Sequence, residues 1–228
     1  MTASATYVFA PENVELVTEA WERCGKDRKA MPGDLAVSAQ MSLNLMFASW
    51  SNRHINLWCV EPITVPLTLN TKVYALQEGT IDIMDAYVTT LATLRDRVIG
   101  RVSRDAYNAL ANKAQAGQPT QFYVDRATAP QVYIWPVASA NSLYTLTYWR
   151  LRRIQDAGAA ANTPDVTYQW LDALAAGLAA RFAVKWAPDR VEMLEARAEK
   201  EFLLAAGENR QRGTITLLPD IANHRVLR

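Results

Sequence analysis

Cysteine and histidine are scarce in this chain, with two of each among 228 residues. Cys24 and Cys59 show no CxxC spacing and have no histidine cluster beside them, so neither a zinc site nor a disulfide framework is indicated, and a reducing compartment is expected. His54 and His224 stand far apart with no second histidine at ligand spacing, and surface or satisfied-core roles are expected of both. An excess of either charge is also missing. Lysine plus arginine number 24 against 23 aspartates and glutamates, a net charge of +1, which argues against a protein whose main task is to hold nucleic acid through its phosphates. The longest uncharged stretch, 35–52, is interrupted by Ser38, Gln40, Ser42, Asn44, Ser49 and Ser51. It barely reaches the roughly 18 to 20 apolar residues that span a bilayer, so a buried helix is expected there and no membrane partner. The opening MTASATYVFAPEN has neither a basic stretch nor a continuous apolar segment, and no secretory signal is read in it. Phosphate-binding glycine motifs and GxSxG are absent, and neither a cofactor nor a metal is expected.

What is present is a hydrophobic content of 50% with 21% charged residues, enough for one large folded domain or two small ones. Val14, Val17, Trp21 and Cys24 recur at three- and four-residue steps before Gly25 and predict a short amphipathic helix. After Pro32-Gly33, Asp34 can cap a second helix, with Val37, Met41, Leu45 and Ala48 on one side and Leu43, Met46, Phe47 and Trp50 on others. Apolar on several sides, it is expected to be packed on several sides. From about Leu57 the period changes. Val65, Leu67 and Leu69 alternate with polar residues or proline, and Pro66 predicts an edge strand. The runs VYAL, TIDIMDAYV, TQFYVDR, QVYIWPV and SLYTLTYW read as further strands, with Ser103 capping a short helix among them. Helical spacing returns with Thr163 as a cap and Pro164 at the first position, followed by Leu171, Leu174, Leu178 and Phe182 on one face and small residues elsewhere. Pro188 ends that helix. Asp189 with Glu192 reads as a capping box for the next, whose apolar stripe is Val191, Leu194, Ala198, Phe202 and Ala205. The expected class is therefore α+β: an α-helical bundle core interrupted by an inserted antiparallel β-sandwich or barrel-like domain, with an extended C-terminal arm. The expected divisions are 1–56 and 153–213 for the helical core, 57–152 for the β insertion and 214–228 for the arm.

Candidates for chemistry are few. Asp82 and Asp85 are the most suggestive carboxylate pair, but in a strand their odd spacing sends them to opposite faces, so no catalytic role is assigned. Arg150, Arg152 and Arg153 in YWRLRRIQD could form a nucleic-acid patch, although a strand leaving the β domain with a solvated or intersubunit charged face is favoured. The seven tryptophans are expected to be core or interface anchors.

Taken in order, NLMFASWSNRHINLW, LQEGTIDIMDAYV, RVSRDAYNALANKAQAGQPTQFYVDR, PQVYIWPV, YTLTYWRLRRIQDAG and TPDVTYQWLDALAAGLAARFAVKWAPDR resemble the tail accessory factor, or head-to-tail adaptor, family of short-tailed bacteriophages. The resemblance runs from about Ser42 to Asp220. It implies a virion protein made in the host cytoplasm, forming a ring, usually of twelve copies, below the portal. Its partners would be the portal protein, the tail nozzle or tube, and genomic DNA that passes through without being specifically bound. Residues 214–228 occupy the place of a portal-binding segment. By spacing, Ile215 and Leu217 point one way and Leu218 the other, as in a strand that Pro219 stops. Burial of Ile215, Leu217, Leu218, Ile221, Val226 and Leu227 does not by itself repay the ordering of fifteen backbone residues, so pairing with another chain is expected. Arg225 and Arg228 either add charge-assisted contacts to an acidic groove or stay solvated. A cell-wall hydrolase, an activity proposed for some relatives, and a small DNA-binding module are the competing readings.

Overall fold

The computed structural model describes residues 6–53 and 57–209. Helices occupy both ends of this stretch and strands its middle: α1 Asn13–Arg23, α2 Leu35–Arg53, β1 Val60–Pro66, β2 Val73–Ala75, β3 Thr80–Thr90, β4 Arg95–Val98, β5 Gly100–Arg101, α3 Arg104–Asn108, β6 Gln121–Asp125, β7 Gln131–Trp135, β8 Tyr144–Arg152, α4 Leu171–Trp186 and α5 Val191–Glu208. The class is α+β, as the two periodicities imply.

Helix α4 is the axis of the helical part. Leu174, Leu178 and Phe182 are fully buried along it, and so are Ala179 and Ala183, because α1, α2 and α5 all pack against it. Its small residues set how close α2 comes. A Cβ on Gly177 would lie 2.6 Å from Met46 Sδ, so this position accepts nothing larger without displacing a side chain that is itself buried. An aromatic cluster closes one end: Trp170 lies 5.0 Å from Trp50, 5.1 Å from Trp58 and 5.4 Å from Phe202, centroid to centroid. These tilted and edge-on geometries suit the ring quadrupoles.

Three expectations for the helices are corrected. The α4 helix does not begin at Thr163-Pro164; it follows a single 3-10 turn, Tyr168–Trp170. The loop before it caps α1 instead, its Asn162 and Ala160 carbonyls accepting from Asn13 N and Val14 N at 2.9 and 3.0 Å, donors that a helix start leaves orphaned. Asp189 and Glu192 form no capping box, since Pro188–Arg190 make a 3-10 turn and α5 starts at Val191 without a side-chain cap. The side of α2 that carries Val37, Met41 and Leu45 is not packed, for these residues are 73%, 61% and 55% exposed. The α5 stripe does bury Leu194, Phe202 and Ala205, and α1 stops just before Gly25, whose φ of +73° suits a residue without Cβ.

The strands form two four-stranded sheets, ordered β1-β8-β3-β4 and β2-β7-β6-β5, antiparallel throughout except for β5 beside β6. They stack as an open sandwich rather than a closed barrel. Ile83, Val88 and Leu146 of one sheet share a core with Phe122, Val132 and Ile134 of the other. Pro66 ends the edge strand β1, opposite Thr145, and Ser103 Oγ accepts from Ala106 N at 3.1 Å to start α3, both as expected. Strand β4, RDRV, escapes a hydrophobic reading because all four residues are exposed. Among the described residues no helix is long and apolar enough to cross a membrane.

Replacing Trp170 with alanine should cost about 3 to 5 kcal/mol, the range for emptying an aromatic site in a packed core. Urea denaturation followed by circular dichroism would measure it.

Candidate interaction surfaces

Pairing of β1 with β8 sets Glu61 opposite Arg150. Arg150 is only 5% exposed; its guanidinium holds the Glu61 carboxylate and also donates to Glu78 O at 3.0 Å and Thr80 Oγ1 at 3.1 Å. Arg152, two residues along the same strand and so on the same face, donates to Glu61 at 3.4 Å and to both oxygens of Asp165 at 2.5 and 3.1 Å. Asp165 in turn accepts from Gln155 N at 2.9 Å, and its carbonyl accepts from Trp58 Nε1 at 3.0 Å. The segment leading into the β sandwich and the segment leading out of it are thus both tied to Asp165. Arg150 and Arg152 therefore form no solvated face and no nucleic-acid patch. They are buried or half-buried and paired within the chain, while Arg153 alone of the three lies in solvent beside Asp156.

The charges here shift one another. The hydrogen bond from Arg150 holds the Glu61 carboxyl below its ordinary value, against a smaller opposing effect of burial. Hydrogen bonding to Asp165 raises the Arg152 guanidinium further into its charged range. Cys59, buried beside it, has its thiol pushed up to about 12 by desolvation, which makes it inert as a nucleophile. Cys24 is likewise a buried free thiol.

Asp82 and Asp85 depart from the alternation argument. Strand β3 shifts register between Thr80 and Asp82 and again between Ile83 and Asp85, which brings Asp82 opposite Leu151 and Asp85 opposite Trp149. Those partners are two apart on β8 and share a face, so the odd spacing does not separate the carboxylates as a regular strand would. Asp82 is occupied nonetheless. Arg101 binds both its oxygens, at 2.9 and 3.1 Å, and Arg126 closes on it from the loop after β6. A carboxylate so held is a tie between the sheets, not a free acid or base.

Of the other residues singled out by sequence, His54, His224 and the arm positions Ile215, Leu217, Leu218, Ile221, Arg225, Val226, Leu227 and Arg228 lie outside the described residues. The end of α5 is described: Asn209 Oδ1 accepts from Leu57 N at 3.2 Å, beside the turn that leads into the sandwich. Five of the tryptophans pack in the helical core, all of them in ring contact with another tryptophan: Trp21 with Trp186, and Trp50 and Trp58 with Trp170; Trp149 is partly exposed on β8.

Two concavities flank α4. One, of about 590 Å³, lies between α1 and the start of α4, lined by Glu15, Glu19, Arg23 and Asp172 with Phe9 and Tyr168. The other, of about 430 Å³, lies between α2, α4 and α5, with Met46, Trp50, Val184 and Phe202 as apolar walls and Arg53, Arg181, Glu195 and Glu199 as charged ones. Arg53 stacks on Phe202 at 3.7 Å and pairs with Glu199. Arg181 is half-buried and its pKa is lowered by desolvation alone. Glu61, Asp165 and Arg181 are not among the residues singled out by sequence. Only Arg181 carried a local signal, as an isolated charge in the alanine-rich run of α4.

Stability from the Glu61 carboxylate is fully present above its ordinary pKa of 4.5 and drains away as pH falls through the depressed folded value. Glu61→Gln should therefore lower stability at neutral pH by about 1 to 3 kcal/mol, the cost of weakening the partner of a buried donor. It should also show a shallower further loss in acid than the unchanged protein, read from urea midpoints across the acid range.

No curated protein matches the chain. A family model described as SU10 adaptor protein matches residues 15–218, from within α1 through the sandwich and beyond α5. A match across nearly the whole length, helices and sandwich alike, makes this chain a member of the SU10 adaptor protein family, a family of phage head-to-tail adaptors.

Proposed function

We propose that the protein is a non-enzymatic structural adaptor of a short-tailed phage virion. It assembles as a ring, twelve-membered on the pattern of the resemblance, below the portal, where it seals the DNA channel and carries the tail nozzle. Residues 214–228 are its portal-binding arm, with Ile215, Leu217, Leu218, Ile221, Val226 and Leu227 as apolar anchors and Arg225 and Arg228 as charged ones. The family match carries the reading. Two further features support it. The arm's root at Asn209 is pinned beside the turn that leads into the sandwich, so an arm engaged above would transmit load to both parts of the molecule. The net charge of +1 suits a conduit from which DNA must leave without being retained. In a ring, one bound arm raises the effective concentration of its neighbours at their own sites, and individually weak grips add up to a firm joint. The exposed Val37, Met41 and Leu45 on α2 contribute to ring contacts, whereas the small residues of α4 are used up inside the subunit.

Deleting residues 214–228 should abolish docking to portal-bearing capsids while leaving the thermal unfolding of the isolated protein unchanged. Docking of the truncated protein with undiminished affinity would overturn the arm assignment. A zymogram on peptidoglycan should be blank for the intact protein and for Asp82→Asn and Asp85→Asn alike, because Asp82 is already neutralised by two guanidinium groups. Clearing that vanished with either substitution would establish the hydrolase reading instead.

A further inference from the structure

Asp172 and Arg181 are nine residues apart on α4, two and a half turns, and therefore project to opposite sides of the helix. The two concavities follow the same division: Asp172 lines the one beside α1 and Arg181 the one between α2, α4 and α5. The two sides differ in chemistry. On the α1 side the stretch 6–22 carries Glu12, Glu15, Glu19 and Glu22 and no lysine or arginine. It starts with Tyr7, Val8 and Phe9, which are 100%, 84% and 70% exposed. On the other side is a groove with both apolar and charged walls, holding a half-buried guanidinium for which the described part of the chain supplies no hydrogen bond or ion pair. A desolvated charge of this kind is costly until an anion meets it.

We infer that the groove around Arg181 receives the acidic N-terminal segment, Tyr7 to Glu22, of a second copy of this chain. The exposed aromatic and apolar side chains enter against Met46, Trp50 and Val184, and a glutamate of the segment meets Arg181. Because knob and groove lie on opposite sides of one helix, each copy offers its knob to the next and its groove to the one before. Such a heterologous contact closes into a ring when the rotation permits. Charge disfavours the chain's own C-terminal residues as the occupant, since residues 210–228 carry four arginines against one aspartate and would bring like charge to Arg181. The inference rests on the ring assembly proposed above and assigns its two faces.

Cross-linking tests it. Val8 and Val184 are 84% and 62% exposed, whereas native Cys24 and Cys59 are 2% and 0% exposed, so mild oxidation reads only introduced thiols. Full-length Val8→Cys and Val184→Cys proteins, mixed in the presence of portal, should give a covalent dimer that is absent when Val184→Cys is oxidised alone. The double variant should give a ladder of higher species. Arg181→Glu should reduce ring formation, followed by sedimentation, at least tenfold without altering the melting temperature, and Arg181→Lys should restore part of it. Rings that form normally with Arg181→Glu, or mixed variants that assemble without cross-linking, would overturn the groove assignment and leave the adaptor reading standing. A cross-link confined within single chains of the double variant would also overturn it. A protein that stays monomeric at every concentration, with and without portal, would remove the ring itself and the inference with it.

Discussion

The carboxylate of Asp165 is the point on which the arrangement of this molecule turns. It binds Arg152 at the end of β8 and Gln155 N just beyond, while its own carbonyl receives the Trp58 indole. Both covalent connections between the helical part and the sandwich are therefore fastened to one residue. Two peptide crossings alone would let the sandwich swing. Glu61 and Arg150 extend the network into the sheet, where Arg150 is buried and has its donors satisfied by a carboxylate, a carbonyl and a hydroxyl. Paired charges of this kind contribute little net stability against an apolar alternative, but breaking one leaves its partner stranded. Their effect is to specify one relative placement of the two parts.

That placement matters because α5 ends at the same corner. Asn209 closes α5 against Leu57, so the end of α5, the segment into the sandwich and, through Trp58 and Asp165, the segment out of it are joined by a short chain of hydrogen bonds. A load applied at the end of α5 reaches the sheets through Leu57. This is a useful property for a part that couples a capsid to a tail. The helical part has its own asymmetry. One side of α4 is covered by α1 with its acidic outer surface, the other by α2 and α5 with a groove between them, and a helix with unlike sides is what repeated head-to-tail association requires.

Much of the fold was legible because it follows from period and punctuation. The strands around Ile83, Phe122, Ile134 and Leu146, the Ser103 cap, the Gly25 stop and the α5 stripe all come from local pattern. Local pattern also explains the errors. Thr163-Pro164 is a good helix start in isolation, but the carbonyls just before it are taken by the orphan donors of α1. Alternation along β3 failed because two register shifts sit between Thr80 and Asp85, and a bulge has no signature in composition. Strand β4 was invisible because an exposed edge strand has no apolar face. The candidate surfaces were less legible still. The arginines of YWRLRRIQD were seen, but their partners Glu61 and Asp165 lie 89 and 13 residues away from Arg150 and Arg152 respectively.

By itself the sequence determined the alternation of helical, β-rich and helical stretches, the near-neutral charge, the lack of metal-ligand spacing and the ordered phrases that point to the family, since each depends only on residue type and spacing along the chain. Only the tertiary structure decided that Arg150 and Arg152 face inward, that Asp82 is clasped by Arg101 and Arg126, that Val37, Met41 and Leu45 remain uncovered and that Arg181 lies in a groove without an ion pair among the described residues. Those outcomes depend on which surfaces meet across long stretches of chain, and burial and charge pairing are set by that meeting rather than by neighbours in sequence.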